Sequence, residues 1–466
     1  MNLEKINSVY FVGIGGIGMS ALARYFHSKG KNVAGYDRVS SFITQELENE
    51  GMKVTFDDDQ GAVGQTIGQH SKDETLIIVT PAIPEDHPQL KFFRENEYDI
   101  RKRAQVLGEI VKQYHTIAVA GTHGKTTTAA MITQLFHHSG VPCYAFLGGV
   151  SANLRSNYLE PPQGKTAEIC IVEADEYDRS FLHLSPDVLI INSLDADHLD
   201  VYGDDLKLIE AYQTLCGQVR KSGHIFCRRG IEYDLKINDP VTFDLEGRAD
   251  VYPENVEDTT TATQFSLKFK DQKIDGFQLH QKGRHNLLNA VAAVSASIEK
   301  IGDFEKLKAG LATFKGLNRR FEIVWKGESS VFIDDYAHHP RELEMVIESC
   351  RSLYPGKKLT GVFQPHLFSR TRDFMDDFAH ILSELDEVII LPIYPAREKP
   401  IEGISSKVLY DRIPAEKKWL IERDELPEFI KEHDTEVLLT LGAGDIDRIV
   451  QPVKEVLQNK KGKNNA

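Results

Sequence analysis

Apolar positions along this chain fall in short runs, not long stripes. Val9–Val12, Asn32–Gly35, Leu76–Val79, Thr116–Ala120, Ile169–Val172 and Val188–Asn192 are rich in β-branched residues and are bounded by Gly, Pro, Asp or Asn, a pattern that predicts buried strands. After the first run, apolar side chains recur at Met19, Leu22, Ala23 and Phe26, the spacing of one helix face. A second helix is expected from Lys125 to His137 and a third from Asn286 through Ile298. Segment 98–112 reads as a linker running into a helix, and the alternation across 224–280 suggests an antiparallel subregion. Beyond about residue 323, the runs Val331–Asp335, Leu359–Gln364, Val388–Pro392 and Val437–Leu441 alternate with helical stretches. Strands alternating with helices predict α/β architecture. At roughly 150 residues per domain, the expected division is 1–110, 111–322 and 323–466.

Composition narrows the functional classes. The chain has 466 residues, with 55 Lys and Arg against 70 Asp and Glu, a net charge of −15. Such a field repels phosphate, so non-specific nucleic-acid or membrane-surface binding is not expected. Any anionic ligand must be met by local cations and helix N-termini. No run approaches the ~18 apolar residues of a membrane span, and the first residues lack a signal-peptide core. Five scattered cysteines show neither a disulfide framework nor metal spacing. A cytoplasmic protein, monomer or homodimer, is the expectation.

Two strand–glycine–helix units carry the strongest signals. Gly13-x-Gly15-x-x-Gly18 fits a loop that brings backbone N–H groups to a diphosphate, with Asp37 placed to accept from a ribose hydroxyl. Taken alone, that pattern also suits an NAD-dependent oxidoreductase. The second unit is Gly121-Thr122-His123-Gly124-Lys125-Thr126-Thr127. It departs from the full phosphate-loop pattern because Val119 stands at the outer glycine position, but its chemistry is complete. Its N–H groups would cradle phosphates, Lys125 would reach the terminal oxygens, and the Thr126 hydroxyl would ligate Mg²⁺. Glu173-Ala174-Asp175-Glu176 and Asp195-Ala196-Asp197-His198 end the next two runs, where acids beside a phosphate loop can hold cations. In the last third, Asp334-Asp335-Tyr336-Ala337-His338-His339-Pro340 and Gln364 to Arg372 put His and Arg at strand ends, where doubly wound folds bind ligands. Arg370 there could grip a carboxylate with two parallel bonds, whereas Arg372 reads equally well as solvated charge.

Together these segments, with Gly283–Asn289 (GRHNLLN) and Asn318–Glu322 (NRRFE), resemble the Mur ligase family, ATP-dependent amide-bond ligases of cell-wall peptidoglycan synthesis. The resemblance implies an N-terminal Rossmann-like UDP-binding domain, a central ATPase-like phosphate-loop domain and a C-terminal Rossmann-like domain. It implies UDP-N-acetylmuramate and L-alanine as substrates, with ATP and Mg²⁺. A tripeptide in place of alanine, as in cell-wall recycling, is the alternative. By the same resemblance Gly13, Gly15, Gly16, Gly18, Met19 and Ser20 surround the diphosphate, and Gly121 to Thr127 hold ATP. Thr126, Glu173 and His198 take Mg²⁺, Asn286 and Asn289 meet adenine, and Arg320 and Asp335 reach phosphate and ribose. Tyr336, His338 and Arg370 orient the amino acid and the sugar carboxylate. The chain departs from many members at Leu367, where they carry Arg, and at Tyr177 and Arg179.

Overall fold

The computed structural model describes residues 3–59, 63, 71–195, 205–396 and 398–461. Its strands form three sheets. The first holds β1 (Ser8–Val12), β2 (Asn32–Tyr36), β3 (Lys53–Thr55), β4 (Thr75–Val79) and β5 (Asp99–Lys102), all parallel in the order β3-β2-β1-β4-β5. Strand β5 occupies part of the expected linker: Ile77 pairs with Ile100, and the helix starts directly behind it. Its polar sequence, DIRK, gives no strand signal, and it is tolerated because it is an edge.

The second sheet is larger. It contains β6 (His115–Ala120), β7 (Cys143–Ser151), β8 (Ser156–Leu159), β9 (Ile169–Glu173) and β10 (Val188–Ile191). It continues with β11 (His224–Arg228), β12 (Val241–Phe243), β13 (Val251–Asp258), β14 (Thr263–Phe269) and β15 (Gln272–Leu279). Their order is β15-β14-β13-β12-β11-β10-β6-β9-β7-β8. The antiparallel pairs of the expected subregion are confined to β13, β14 and β15, because β11 and β12 still run parallel to the sheet centre. The third sheet is β16 (Glu322–Lys326), β17 (Val331–Asp335), β18 (Leu359–Phe363), β19 (Glu387–Ile390), β20 (Lys418–Leu420) and β21 (Val437–Leu441). Its order is β16-β17-β21-β18-β19-β20, with only β16 antiparallel.

The helices that matter to function are α1 (Ile17–Ser28), α2 (Arg103–Val111), α3 (Lys125–Ser139), α4 (Arg284–Ile301), α5 (Pro340–Leu353) and α6 (Phe368–Asp373). Residues 1–316 form one compact unit and 317–466 another. In the first unit a continuous apolar core runs from Val9 and Phe26 through Val106, Tyr144 and Cys170 to Leu189 and Tyr212, fastening the first two sheets together. Asn157 on β8 is the polar peg of that seam: it donates to the Ile17 carbonyl and to Ser20 Oγ and accepts from Arg24. In the second unit separate apolar clusters cover the two faces of the third sheet. Among the described residues no helix is long and apolar enough to cross a membrane. Four of the five free thiols are buried and Cys216 is half-buried. Burial pushes Cys143, Cys216 and Cys227 up to about 12 and holds Cys170 and Cys350 well above the usual range.

Candidate active site

At the end of β1 the chain turns at Gly13 (φ +94°) and enters α1 from Gly16. No side chain caps this helix and its first turn holds no acid, so its N-terminal dipole is uncompensated by its own residues. Asp37, just past β2, accepts the Gly15 N–H at 2.8 Å. A Cβ on Gly15 would lie 2.7 Å from Thr44 Cγ2 and 2.9 Å from Asp37 Oδ2, so a side chain here would displace both. Met19 and Ser20 have their N–H groups on the Gly16 carbonyl and their side chains inside: Met19 joins the core and Ser20 receives Asn157. The structure therefore places Gly13, Gly15 and Gly16 in the loop, Gly18 in the first turn of α1, and the Met19 and Ser20 side chains inside.

The second loop is built differently. Strand β6 ends at Ala120, Gly121 takes φ +125°, and Gly124 enters α3 in the left-handed conformation. A Cβ on Gly124 would lie 2.5 Å from Asn289 Oδ1, which places Asn289 of α4 directly against the loop. Asn286, one turn earlier, is also buried and donates to the Lys282 carbonyl. Lys125 Nζ donates to the carbonyls of Gly121 (2.7 Å) and Thr122 (3.3 Å) and to Glu176 Oε1 (2.8 Å). Burial works against that ammonium, but Glu176, Glu173 and Asp175 hold it above its ordinary value. Glu176 is fully buried, and burial pushes its carboxyl up to about 7 against the pull of Lys125.

Thr126 Oγ1 donates to Glu173 Oε1 at 3.0 Å, and the Gly148 N–H donates to Oε2 at 3.0 Å. A Cβ on Gly148 would fall 2.2 Å from the Glu173 carboxylate, so any side chain on β7 here would have to push that carboxylate aside. A hydroxyl and a carboxylate side by side on a phosphate loop form the oxygen donor set a hard divalent cation takes. From the end of β10, Ser193 Oγ accepts the His123 N–H at 2.7 Å and meets Thr122 Oγ1 at 2.9 Å. Asp195 N–H donates to Thr122 Oγ1 at 3.0 Å, and its carboxylate lies 3.6 Å from His123. Both acidic strand ends thus converge on the loop, as far as Asp195. His198 lies outside the described residues, and among those described no group of three or more His, Cys, Asp and Glu is arranged to hold a metal ion.

In the second unit, Asp334 and Asp335 end β17. Asp334 accepts from Arg319 Nε (3.0 Å) and Thr440 Oγ1 (2.6 Å). Asp335 accepts the N–H groups of Phe321 (2.6 Å) and Ala337 (2.7 Å), and burial pushes it up to about 6. Its carboxylate therefore clamps the backbone turn, with both oxygens engaged. Around that turn Arg319 and Phe321 adopt φ +60° and +49°, a costly conformation held by these acceptors, with Arg320 between them. The Arg320 guanidinium lies 5.1 Å from the Tyr336 ring centre and 3.7 Å from Glu342. His338 contacts the Tyr336 carbonyl (2.9 Å) and Glu342 (3.2 Å) through Nδ1, and its ring meets His366 at 5.9 Å. Burial lowers it to about 4 against the pull of Glu342, with Arg370 and Arg320 also disfavouring its charge. Tyr336, His338, Arg320 and Arg370 thus share one neighbourhood at the carboxyl edge of the third sheet. Leu367 enters α6 at φ +70° with its N–H on the Tyr394 carbonyl, so a backbone turn occupies this position. Arg372 is exposed and pairs with Asp373 at 2.7 Å. Glu176 reads in the sequence only as one of the acids at 173–176 able to hold a cation, whereas in the structure it pairs with Lys125. Its only signal was position, three residues beyond Glu173.

A phosphate loop fed by two acidic strand ends, in a unit that carries a second glycine loop, points to a nucleotide-dependent enzyme, and comparison with known proteins gives its class. The Mur ligase family catalytic domain matches residues 8–115, the Mur ligase middle domain 119–297, and the Mur ligase glutamate ligase domain 319–444. The chain belongs to the Mur ligase family. It is 45% identical to the UDP-N-acetylmuramate–L-alanine ligase of Cytophaga hutchinsonii over 100% of both chains. It is 44% identical to the ligase of that name from Christiangramia forsetii, covering 98% of this chain and 99% of the relative. The UDP-N-acetylmuramate-alanine ligase structure from Thermotoga maritima superimposes with a TM-score of 0.81 at 27% identity, over 97% of this chain and 99% of that one. A murein peptide ligase from Psychrobacter arcticus shares the fold at 21% identity and a TM-score of 0.72, with 97% and 99% coverage. Nothing here favours the oxidoreductase reading of the first glycine loop.

Proposed function

We propose that the chain is an ATP-dependent ligase that joins L-alanine to the carboxylate of UDP-N-acetylmuramate, releasing ADP and phosphate. Full-length similarity to ligases of that name carries the choice of substrates. The Lys125–Thr126–Glu173 arrangement supports ATP as the co-substrate. In this reading residues 1–110 bind the UDP-sugar, 111–322 bind ATP, and 323–466 orient the amino acid. ATP and a UDP-sugar as substrates suit the cytoplasm.

A carboxylate resists attack by an amine, so it must first be activated. The sugar carboxylate attacks the γ-phosphorus, the bond to ADP breaks, and an acyl phosphate forms. The neutral amine of L-alanine then adds to the acyl carbon, the bond to phosphate breaks, and the proton shed by the nitrogen leaves on the departing phosphate. Lys125, on the loop that cradles the phosphates, offsets the repulsion between the two reacting anions. Thr126 and Glu173 would hold Mg²⁺, with His198 as a third donor, and the ion when bound neutralises charge on the polyphosphate. Asn289, against Gly124, and Asn286 beside it would meet the adenine side of the nucleotide. The N–H groups of Ile17 and Gly18, at the first helical positions of α1, would face the diphosphate. Tyr336, His338 and Arg370 would orient the amino acid and the carboxylate, with Arg320 reaching phosphate; His338, held neutral, is suited to hydrogen bonding rather than to ion pairing.

The deciding experiment is phosphate release from ATP with Mg²⁺ and UDP-N-acetylmuramate, adding L-alanine or the L-Ala-γ-D-Glu-diaminopimelate tripeptide separately. Release with L-alanine is expected. Release with the tripeptide alone would move the protein to recycling and change the assignments around Tyr336 and His338.

A further inference from the structure

The reaction so far gives no task to Glu176, a fully buried carboxylate 2.8 Å from Lys125 Nζ. Burying an ion is costly unless a partner repays it, so a buried acid aimed at the phosphate-loop lysine needs an account. Three features make its placement specific. Its loop starts from β9, the strand hydrogen-bonded to β6 beneath the phosphate loop, so Glu176 and Lys125 share a rigid base. The loop is then pinned from the first sheet's side by Lys102 on Asp178 (3.0 Å) and Arg103 near Asp175 (3.6 Å). Asp178 and Arg179, directly behind Glu176, both take positive φ (+53° and +55°), and the Arg179 N–H closes on the Glu176 carbonyl. Strained backbone of this kind persists only where its surroundings over-determine it.

We propose that Glu176 is a positioning residue that acts through Lys125, holding the ammonium at the mouth of the loop and surrendering it to the terminal phosphate of ATP. This rests on the reading of Gly121–Thr127 as the ATP loop. Two effects of opposite sign follow. The carboxylate competes with the nucleotide for one ammonium, so it weakens ground-state ATP binding. It also fixes where that ammonium stands when the carboxylate of the sugar attacks, so it speeds transfer.

The test uses the full chain with Glu176→Gln, which keeps the shape and removes the charge. ATP affinity is measured by calorimetry without the sugar substrate, and turnover by phosphate release. Expected are ATP binding tighter by about threefold or more and kcat lower by about tenfold or more, with the KM for UDP-N-acetylmuramate unchanged. Weaker ATP binding together with lower kcat would mean a merely structural role and overturn the proposal. In the Lys125→Ala background Glu176→Gln should change neither quantity further, and additive effects would equally overturn it. If Glu176→Gln does not fold, Glu176→Asp serves: it keeps the charge but shortens the reach, and it should lower kcat without tightening ATP. An Asp variant with normal kcat would refute the positioning role. The binding arm stands even if the wild-type chain uses another amino acid, whereas a wild-type chain that does not bind ATP would sink the ATP-loop reading itself.

Discussion

The two glycine loops of the N-terminal unit are the same backbone device put to different chemistry. Each follows a buried parallel strand, turns on a glycine at positive φ, and feeds a helix from a glycine at its N-cap. Around the first, the neighbouring strand end delivers one acid, Asp37, which is spent on the Gly15 N–H. Around the second, β9 and β10 deliver Glu173, Glu176, Ser193 and Asp195 to Lys125, Thr126, Thr122 and His123. In the proposed reading one loop binds an anion through its backbone and the other moves one. A glycine turn supplies geometry, and what the next strands carry to it decides the chemistry.

The largest effect expected from breaking this contrast is Lys125→Ala, which should lower phosphate release by about 10³-fold with the thermal midpoint little changed. Turnover within tenfold of wild type would erase the distinction between the loops. Gly15→Ala probes the first loop: its Cβ would collide with Thr44 and Asp37, so the KM for UDP-N-acetylmuramate should rise about tenfold while that for ATP stays put. An ATP effect of equal size would show that the two loops are not separable.

A smaller effect sharpens the comparison with the third sheet, where the buried groups titrate. The fold lowers His338 to about 4, so its contribution is complete above the unfolded value near 6.5 and is lost as pH falls toward 4. At pH 5 that loss is about 2 kcal/mol. Asp335, raised to about 6, works in the opposite sense: the fold favours its protonated form, so its contribution declines as pH rises from about 4 to 6. Replacing His338 by Gln should therefore shrink the drop in thermal midpoint between pH 7 and pH 5, measured by calorimetry on both proteins. An identical drop would remove His338 from the pH response. The smallest effect belongs to Arg372→Ala: an exposed pair with Asp373 is worth about 0–1 kcal/mol, and turnover should stay within twofold.

Much of this arrangement was legible in the residues because it depends on local pattern. Val9–Val12 before Gly13 and Thr116–Ala120 before Gly121 announce buried strands ending in turns, and the acids at 173–176 and 195 follow strands of the same kind. What stayed hidden depends on partners distant in sequence. DIRK at 99–102 becomes a strand only because β4 offers an edge, and Asn157 becomes a peg only when β8 meets α1. That Asp335 accepts the Phe321 N–H depends on the positive-φ turn there, which no local pattern announces. Glu176 reads as one of the acids at 173–176 able to hold a cation, and its pairing with Lys125 shows only once β9 lies beside β6.

The burial of four of the five thiols has a practical consequence. A thiol held protonated and out of reach reacts with an alkylating reagent only after the surrounding chain opens. Modification of those four by iodoacetamide would then run as a clock on opening of the two units, not as a map of the reaction centre. Cys350, packed in the core beneath the third sheet, would time the C-terminal unit, and Cys170, in the seam between the first two sheets, the N-terminal one.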